Sequence, residues 1–566
     1  MASKTLQRPT YEVGEIPALT PRKLRVVCIG AGFSGIYMAI RLGAQSALEN
    51  LEFQCYEKNP SVGGTWFENR YPGCACDVPS HVYCYTFEPN PRWSQYFSSW
   101  REIGKYLEDV HENYGCSRFI KLNHRVERAV WNENTSKWEL TVSDDAGKQL
   151  HDRCDVLLNG AGILNNWKWP SIKGLHSFQG SVVHSAAWPE TLDLAGQRVA
   201  VIGSGSSAIQ IIPSIQPVAR RVDAYLRSPT WIQPKELDPL VAERLSQGLG
   251  FEYTETEIRR FENKETLRNY RKRLESAFNG LYNVLLKSSP QQKEARILFE
   301  ADMRKKLEKK PELAEQLIPN WEVGCRRLTP GLGYLEALCE DNVDVVTNTE
   351  IMEITKTGIR DINGVHREVD VLVCATGFDV SFKPRFSLVG RQGRDLSLDT
   401  SWGSNPQAYL TLAISGYPNY FVFNGPNACV GNGSLIPVIE SVGEYIIKAL
   451  SKMQVHGVKT MEVQSEAVTD LTEHIDTYMP RTVWSGNCRS WYKQGTVDGR
   501  VTAIWPGSSL HFLDILKDPR WEDYSWTYDR GNRFAFLGNG KSLVEDGGDM
   551  AYYLEHPIAN ITRPKE

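Results

Sequence analysis

Two glycine-rich segments have the residue types and the spacing that bind a diphosphate group. The first is Gly30-Ala31-Gly32-Phe33-Ser34-Gly35, and the second is Gly203-Ser204-Gly205-Ser206-Ser207-Ala208. In such a segment the first glycine permits a tight turn and the second lets the backbone approach the diphosphate. The third position keeps a helix close to a strand, and the N-terminus of that helix attracts negative charge. Each segment therefore predicts a dinucleotide site.

The residues that follow the next strand distinguish the two sites. Glu57 comes directly after the β-rich run 51–56, 22 residues beyond Gly35. An acidic residue at about this distance binds a ribose hydroxyl. The corresponding run in the second unit, 221–226, ends instead in Arg227-Ser228. An arginine and a hydroxyl suit a 2′-phosphate, which a carboxylate would repel, so we expect FAD at the first site and NADPH at the second.

Both glycine segments stand between a predicted strand and a predicted helix. β-rich runs at 24–29 and 197–202 precede them, and apolar residues with helical spacing follow. A second internal similarity pairs residues 155–162 with 370–377, because each is a buried-strand run that ends in small residues. The fold class predicted from this repeat is α/β, with two Rossmann-like dinucleotide-binding domains.

The repeat also predicts the domain boundaries. A discontinuous FAD-binding domain comprises residues 22–168 and 375–560, and the NADPH-binding domain comprises 169–233 and 320–374. The segment 234–319 is highly charged and helix-prone, which predicts a helical insertion into the second domain with solvated faces. Residues 1–21 form an N-terminal extension.

Composition excludes several classes of partner. The chain has 566 residues and a net charge of −4, which does not favour nucleic acid or an anionic membrane as partner. No apolar run reaches 18 residues, so no membrane span is expected, and the N-terminus has no apolar secretory segment. The 12 cysteines include no C-x-x-C pair. We therefore expect no metal site, and reduced thiols in a cytoplasmic enzyme.

Two further motifs carry a family resemblance. The segment FQGSVVHSAAWP matches F-x-G-x-x-x-H-x-x-x-W-[P/D] at Phe178, Gly180, His184 and Trp188. The segment GGTWFENRYPGCACD, residues 63–77, matches G-G-x-W followed by Y-P-G-x-x-x-D. With both glycine segments and the ATGF at 375–378, the chain resembles the Baeyer–Villiger monooxygenases, class B flavin monooxygenases that use FAD and NADPH. The resemblance covers roughly residues 23–505. The chain resembles the fungal members of this family in particular.

The resemblance implies site residues as well. The implied FAD contacts, besides the first glycine segment and Glu57, are Thr65, Trp66, Asp77, Val78, Tyr83 and the backbone of Val126. Arg327 takes the place of the family's active-site arginine. Arg326 stands where the family usually has a lysine for the NADPH phosphate, which retains charge but changes geometry. Trp491 matches a tryptophan that contacts the nicotinamide ribose. His184 is expected to serve a linker that coordinates domain motion rather than to donate a proton.

The reaction implied by the resemblance inserts one oxygen atom of O₂ beside a ketone carbonyl. Arg327 would stabilise the negative charge of the reacting oxygen atoms, and Asp77 would hold the arginine. The product is an ester or lactone, and the resemblance to fungal members of the family implies a bulky or polycyclic ketone, such as a secondary metabolite, as substrate. Two alternatives remain: a flavin N- or S-oxygenase that has no need of Arg327, and a non-oxygenating NADPH flavoprotein reductase or sensor. The absence of C-x-x-C disfavours a disulfide reductase.

Overall fold

The computed structural model describes residues 11–347 and 349–555, and it contains both strands and helices throughout. The first ten residues of the predicted N-terminal extension and residues 556–560 of the predicted FAD-binding domain lie outside this range. The strands are β1 (Leu24–Ile29), β2 (Leu51–Tyr56), β3 (Ile120–Lys121), β4 (His124–Asn132), β5 (Lys137–Asp144), β6 (Gln149–Cys154), β7 (Val156–Asn159), β8 (Ser181–His184), β9 (Arg198–Ile202), β10 (Arg221–Tyr225), β11 (Val343–Val346), β12 (Ile351–Ile354), β13 (Gly358–Asp361), β14 (His366–Glu368), β15 (Val371–Cys374), β16 (Ser387–Val389), β17 (Tyr420–Val422), β18 (Val458–Val463) and β19 (Tyr524–Tyr528).

Many helices begin at a side chain that accepts a hydrogen bond from the first turn. Asn263 does so for α7 and Ser289 for α8, and such caps satisfy amide groups that the helix leaves free. The helices are α1 (Phe33–Met38), α2 (Thr65–Glu68), α3 (Trp100–Asn113), α4 (Ser206–Ile215), α5 (Pro239–Ser246), α6 (Glu255–Phe261), α7 (Lys264–Gly280), α8 (Pro290–Lys306), α9 (Glu312–Leu317), α10 (Tyr334–Leu338), α11 (Thr400–Ser404), α12 (Leu435–Val455), α13 (Ser465–Tyr478) and α14 (Ser509–Leu516).

Two parallel sheets contain the predicted dinucleotide units. The first has the strand order β17-β7-β1-β2-β3, and the second has the order β11-β10-β9-β15-β8. Their central strands are buried along almost their whole length, as the continuous apolar runs predict. The predicted α/β fold class is confirmed.

The two sheets repeat one polar contact. The backbone amide of Arg25, in β1, donates to the carboxylate of Asp155 at 2.9 Å. The amide of Arg198, in β9, donates to Asp370 at 2.8 Å. Each aspartate directly precedes the strand that pairs with β1 or β9, so the internal similarity seen in the sequence corresponds to the same position in both sheets.

Smaller sheets and helices complete the fold. The strands β16-β4-β5-β6 form a mixed sheet beside the first parallel sheet, and β12-β13-β14 form an antiparallel one. The segment 234–319 holds α5 to α9. Arg271, on α7, donates to the carbonyl groups of His81, Tyr85 and Thr86 at 2.9, 3.2 and 3.3 Å. We propose that the domain boundaries, including this segment as an insertion, are those given above.

The prediction that the cysteines are reduced thiols holds for only some of them. Cys28 and Cys374 are buried in the two parallel sheets, where they act as small core residues. The expectation of reduced thiols throughout is wrong at one pair, because Cys325 and Cys488 form a disulfide across 163 residues of sequence. Spacing alone does not reveal a bond between residues so far apart. Within the described residues, no helix combines the length and the apolar composition needed to cross a membrane.

Candidate active site

A cavity of about 430 Å³ opens at the carboxyl ends of the strands of the first parallel sheet. Parallel α/β sheets bind ligands at this edge. The predicted FAD residues that line the cavity are Gly30, Gly32, Glu57, Thr65, Trp66, Asp77, Val78, Tyr83 and Val126. Arg327 and, from the predicted NADPH set, Ser206, Ser207 and Trp491 line it as well. The structure thus brings residues of both predicted sites to one cavity.

The first glycine segment forms a close turn at the cavity wall. Gly30 has φ +94°, a left-handed conformation that favours glycine, and its amide donates to the carbonyl of Tyr56 at 2.8 Å. Gly35 does not line the cavity. A Cβ atom there would lie 1.9 Å from the carbonyl oxygen of Gly30, so its role is to let α1 pack against the turn. No side chain caps α1, which leaves its first amides directed at the cavity end.

Glu57 is held in place at the end of β2. Its two carboxylate oxygens accept hydrogen bonds from the amides of Ala31 and Asn59 at 2.8 and 2.9 Å. Burial raises the pKa of Glu57, while these two amides oppose the shift. Each carboxylate oxygen has a further lone pair that can accept a ribose hydroxyl, so the site fits the adenosine half of a dinucleotide.

Aromatic side chains form another part of the cavity wall. The indole of Trp66 donates to the hydroxyl of Tyr83 at 3.3 Å, and the two rings meet edge to face. Phe33, the first residue of α1, meets the ring of Tyr83 in the same way. Such contacts hold a large flat wall rigid, which fits a planar ring system.

Asp77 and Arg327 form a paired contact inside the cavity. Nε and Nη2 of Arg327 donate to the two carboxylate oxygens of Asp77 at 2.5 and 2.6 Å. This bidentate geometry fixes the plane of the guanidinium group. The charge of Asp77 raises the pKa of Arg327, outweighing the opposing effect of burial. The arginine side chain keeps 38% of its surface accessible, since it lines the cavity. It therefore presents a permanent positive charge there.

The second predicted site lies at the carboxyl ends of β9 and β10. Gly203 has φ +142°, and no side chain caps α4 at Gly205, so free amides face this end of the sheet. Gly203, Ser204, Gly205, Ala208, Arg227, Ser228 and Arg326 lie outside the cavity wall. Arg326 donates to the hydroxyl of Ser228 at 3.1 Å and to the carbonyl of Pro229 at 3.0 Å. This contact brings the loop that carries Arg326 next to the strand end that carries Arg227.

Besides the Asp77–Arg327 pair, contacts of Gln210 join the two units at the cavity. Tyr71 donates to the side-chain oxygen of Gln210, on α4, at 2.8 Å. The amide nitrogen of Gln210 in turn donates to the carbonyl of Ala75 at 2.9 Å. A Cβ atom at Gly73 would lie 2.5 Å from the backbone oxygen of Gln210. The motif at residues 63–77 therefore packs closely against the first helix of the second unit.

The fingerprint histidine lies away from the cavity. His184 is fully buried, and its ring stacks on Trp167 with centroids 4.6 Å apart. Its Nδ1 accepts from the amide of Ala186 at 3.1 Å, so Nε2 carries the proton of the neutral ring and faces the hydroxyl of Thr376 at 3.3 Å. Burial lowers the pKa of His184 to about 4. This geometry supports a structural role between the two units.

The other fingerprint residues serve packing. A Cβ atom at Gly180 would lie 2.2 Å from the carbonyl oxygen of Asp370 and 2.6 Å from the ring of Phe178. Trp188 is buried, with 8% of its surface exposed. Gly180 and Trp188 thus serve close contact between β8 and its surroundings.

Sequence reasoning missed two arginines. Arg385 lines the cavity, as does Arg125, whose charge acts on it. Nε and Nη2 of the Arg385 guanidinium group are buried without a hydrogen-bond partner among the described residues. Burial lowers its pKa to about 10.

The second arginine, Arg489, lies next to the disulfide, close to Arg227. No motif marks either arginine, because only the folded chain brings them to the sites.

The proteins that this chain resembles are flavin monooxygenases. The family model "Flavin-binding monooxygenase-like" matches residues 23–240. The FAD-binding monooxygenase tazF of Aspergillus terreus is 41% identical over 95% of this chain and 96% of its own length. A Baeyer–Villiger monooxygenase of Pseudomonas aeruginosa is 38% identical over 88% and 90%. The chain belongs to the Baeyer–Villiger monooxygenase family.

A solved structure extends the comparison to the whole Baeyer–Villiger fold. An oxidised steroid monooxygenase bound to NADP superposes with a TM-score of 0.72 and 29% identity. The alignment covers 89% of this chain and 99% of the other. The chain is therefore a flavin monooxygenase enzyme, as its motifs predicted.

Proposed function

We propose that the protein binds FAD at the first glycine segment and NADPH at the second, and inserts one oxygen atom of O₂ beside a ketone carbonyl. The observation that carries this proposal is the Asp77–Arg327 pair, which lies in a cavity lined by residues from both units. When bound, the nicotinamide supplies a hydride and the flavin activates O₂. The protein supplies position, charge and exclusion of water.

The cofactor contacts follow from the geometry of the first sheet. The turn at Gly30 and Gly32 and the uncapped start of α1 suit the diphosphate, and Glu57 suits the ribose. Thr65, Trp66 and Tyr83 line the part of the cavity that also contains Asp77, so we assign the flavin ring to that part. Val126 also lines the cavity, and we assign the adenine to its backbone.

Arg327 is assigned the catalytic role. Attack on a carbonyl places negative charge on oxygen, and a fixed guanidinium group stabilises that charge more strongly in a cavity than in water. Asp77 holds the guanidinium plane through both carboxylate oxygens, so the arginine needs no reorientation as charge develops. Nη1 of Arg327 takes no part in the pair with Asp77, so it can donate to the reacting oxygen atoms. An N- or S-oxygenase has no such requirement for a cation.

Trp491 is the residue that we propose for contact with the nicotinamide coenzyme in the cavity. It lines the cavity together with Arg327 although 164 residues separate them in sequence, and the adjacent Tyr492 is buried. We assign Trp491 to the nicotinamide ribose. A coenzyme held there would keep water from the reacting atoms.

We propose that the substrate is a bulky or polycyclic ketone. Cys429, Val430, Leu435 and Ile439 give one part of the cavity an apolar lining. The similarity to a steroid monooxygenase favours a substrate with fused rings. We therefore propose a polycyclic ketone of secondary metabolism.

Product analysis tests this function. The FAD-loaded enzyme is supplied with NADPH and ¹⁸O₂ and with matched panels of cyclic and polycyclic ketones, tertiary amines and thioethers, and products are analysed by mass spectrometry. The proposal predicts esters or lactones that gain one ¹⁸O atom. Oxides of the amines or thioethers without any ester would support the N- or S-oxygenase, and NADPH oxidation without oxygen incorporation would support the reductase.

A further inference from the structure

Three arginines from distant parts of the chain meet beside the second glycine segment. Arg227 follows β10, and Arg326 reaches the adjacent Ser228 at 3.1 Å. The third, Arg489, comes from the C-terminal part of the chain. It follows Cys488 directly, and Cys488 is bonded to Cys325, which directly precedes Arg326. The Cα atoms of the two cysteines are 6.2 Å apart, so the disulfide joins the two arginine-bearing segments.

Nearby negative charge balances this cluster only in part, through Glu350. Partial burial lowers the pKa of Arg227, and the charge of Arg489 lowers it further against a smaller opposing effect of Glu350. Burial and the charge of Arg227 lower the pKa of Arg326. In the described part of the chain, no carboxylate lies within 4.0 Å of any of the three guanidinium groups. Like charges brought together without a counterion are unfavourable unless an anion binds between them.

The position of Arg489 also suits a coenzyme. Its Nη1 donates to the carbonyl of Gly495 at 3.0 Å, which turns the side chain back along its own loop, and the residue remains exposed. Trp491, two residues further on, lines the cavity that contains Arg327. The short segment 488–491 therefore runs from the arginine cluster to the catalytic cavity, as a bound nicotinamide dinucleotide would.

We propose that Arg489 completes the binding site for the 2′-phosphate of NADPH and that the Cys325–Cys488 disulfide holds it there. This rests on the proposed function, in which Arg227, Ser228 and Arg326 face the same phosphate. A phosphate monoester carries between one and two negative charges near neutral pH and accepts several hydrogen bonds. NADH has a neutral hydroxyl at this position, so Arg489 acts as a specificity-determining residue and contributes to NADPH binding alone.

Binding measurements on the FAD-loaded protein test the assignment. Calorimetric titration of the Arg489→Ala variant is expected to show NADP⁺ binding about tenfold weaker, and NAD⁺ binding unchanged. The control is Arg481→Ala, which removes an exposed arginine from the same region, where it lies over the ring of Tyr478. The control should bind both coenzymes as the unmutated protein does.

Two results would overturn the assignment of Arg489. Unchanged NADP⁺ affinity would show that it does not contact the coenzyme, and an equal loss for NADP⁺ and NAD⁺ would show that it acts on the diphosphate or on the loop as a whole. If the unmutated holoenzyme binds neither coenzyme, the proposed function fails instead, so the two failures are distinguishable.

A double-mutant cycle tests the role of the disulfide. Cys488→Ser should weaken NADP⁺ binding in the same direction, because the loop that carries Arg489 is released. In the presence of Arg489→Ala, the cysteine change should add little, since both act through one contact. Full additivity of the two changes, or no effect of Cys488→Ser on NADP⁺ affinity, would contradict the proposed holding role.

Discussion

Nε2 of His184, at the end of β8, lies 3.3 Å from the hydroxyl of Thr376, just after β15. The two strands pair in parallel, with His184 beside Cys374. Thr376 lies next to the predicted domain boundary between residues 374 and 375, and His184 lies 15 residues after residue 169, where the other predicted boundary falls. The contact therefore links β8 to the segment that follows β15 through one neutral, buried ring.

This ring makes stability depend on pH. The pKa of His184 is lowered by burial from 6.5 to about 4, so between these values the unfolded chain binds a proton that the folded protein does not. Stability contributed by the neutral ring is therefore present above pH 6.5 and falls as the pH decreases towards 4, by up to about 3 kcal/mol. Urea unfolding of the unmutated protein and of His184→Gln should show a shallower pH dependence in the variant. Identical slopes would contradict this account.

The fold was largely predictable because its signals are local. The strands at β1, β2, β9 and β10 and the turns after them depend on residues that are adjacent in sequence. The pairing of Asp77 with Arg327 was implied only by family resemblance, since 250 residues separate them. The Cys325–Cys488 bond and the arrival of Arg489 beside Arg227 were not predictable, because tertiary packing alone brings those segments together.

Close packing at Gly35 should make the first unit sensitive to a single methyl group. Gly35→Ala places Cβ against the carbonyl oxygen of Gly30, so we expect a loss of about 1–3 kcal/mol in stability and weaker flavin retention. Gly280→Ala is the control, because its Cβ meets nothing within 4 Å. Thermal unfolding and flavin fluorescence after gel filtration measure both effects. Equal stability of the two variants would show that α1 does not need this contact.

FAD is expected to be bound tightly but without a covalent bond. The glycine turn and Glu57 supply non-covalent contacts, and the sequence contains no evident histidyl or cysteinyl attachment motif. The purified protein should be yellow, and heat denaturation followed by filtration should release the flavin into the filtrate. Flavin that remains in the protein pellet, or a protein without flavin, is the contrary result.

NADPH should be preferred strongly over NADH. Arg227 is exposed at the end of β10, beside Ser228 and Arg326, and a charge-assisted contact there contributes about 1.5 kcal/mol or more. Arg227→Ala should therefore reduce the ratio of kcat/KM for the two coenzymes by about tenfold. Steady-state oxidation of each coenzyme measures the ratio. Equal use of NADPH and NADH by the unmutated enzyme would contradict the assignment.

The central claim is that Arg327 stabilises negative charge at the reacting oxygen atoms. It is tested by following both half-reactions of Arg327→Ala by rapid-mixing absorbance, together with product analysis. The account predicts that FAD remains bound and is still reduced by NADPH, while ester formation falls by at least about 10²–10³-fold, the effect of losing about 2.7–4 kcal/mol of charge stabilisation. Ester formation near the unmutated rate would show that Arg327 is not the catalytic group and would favour the N- or S-oxygenase.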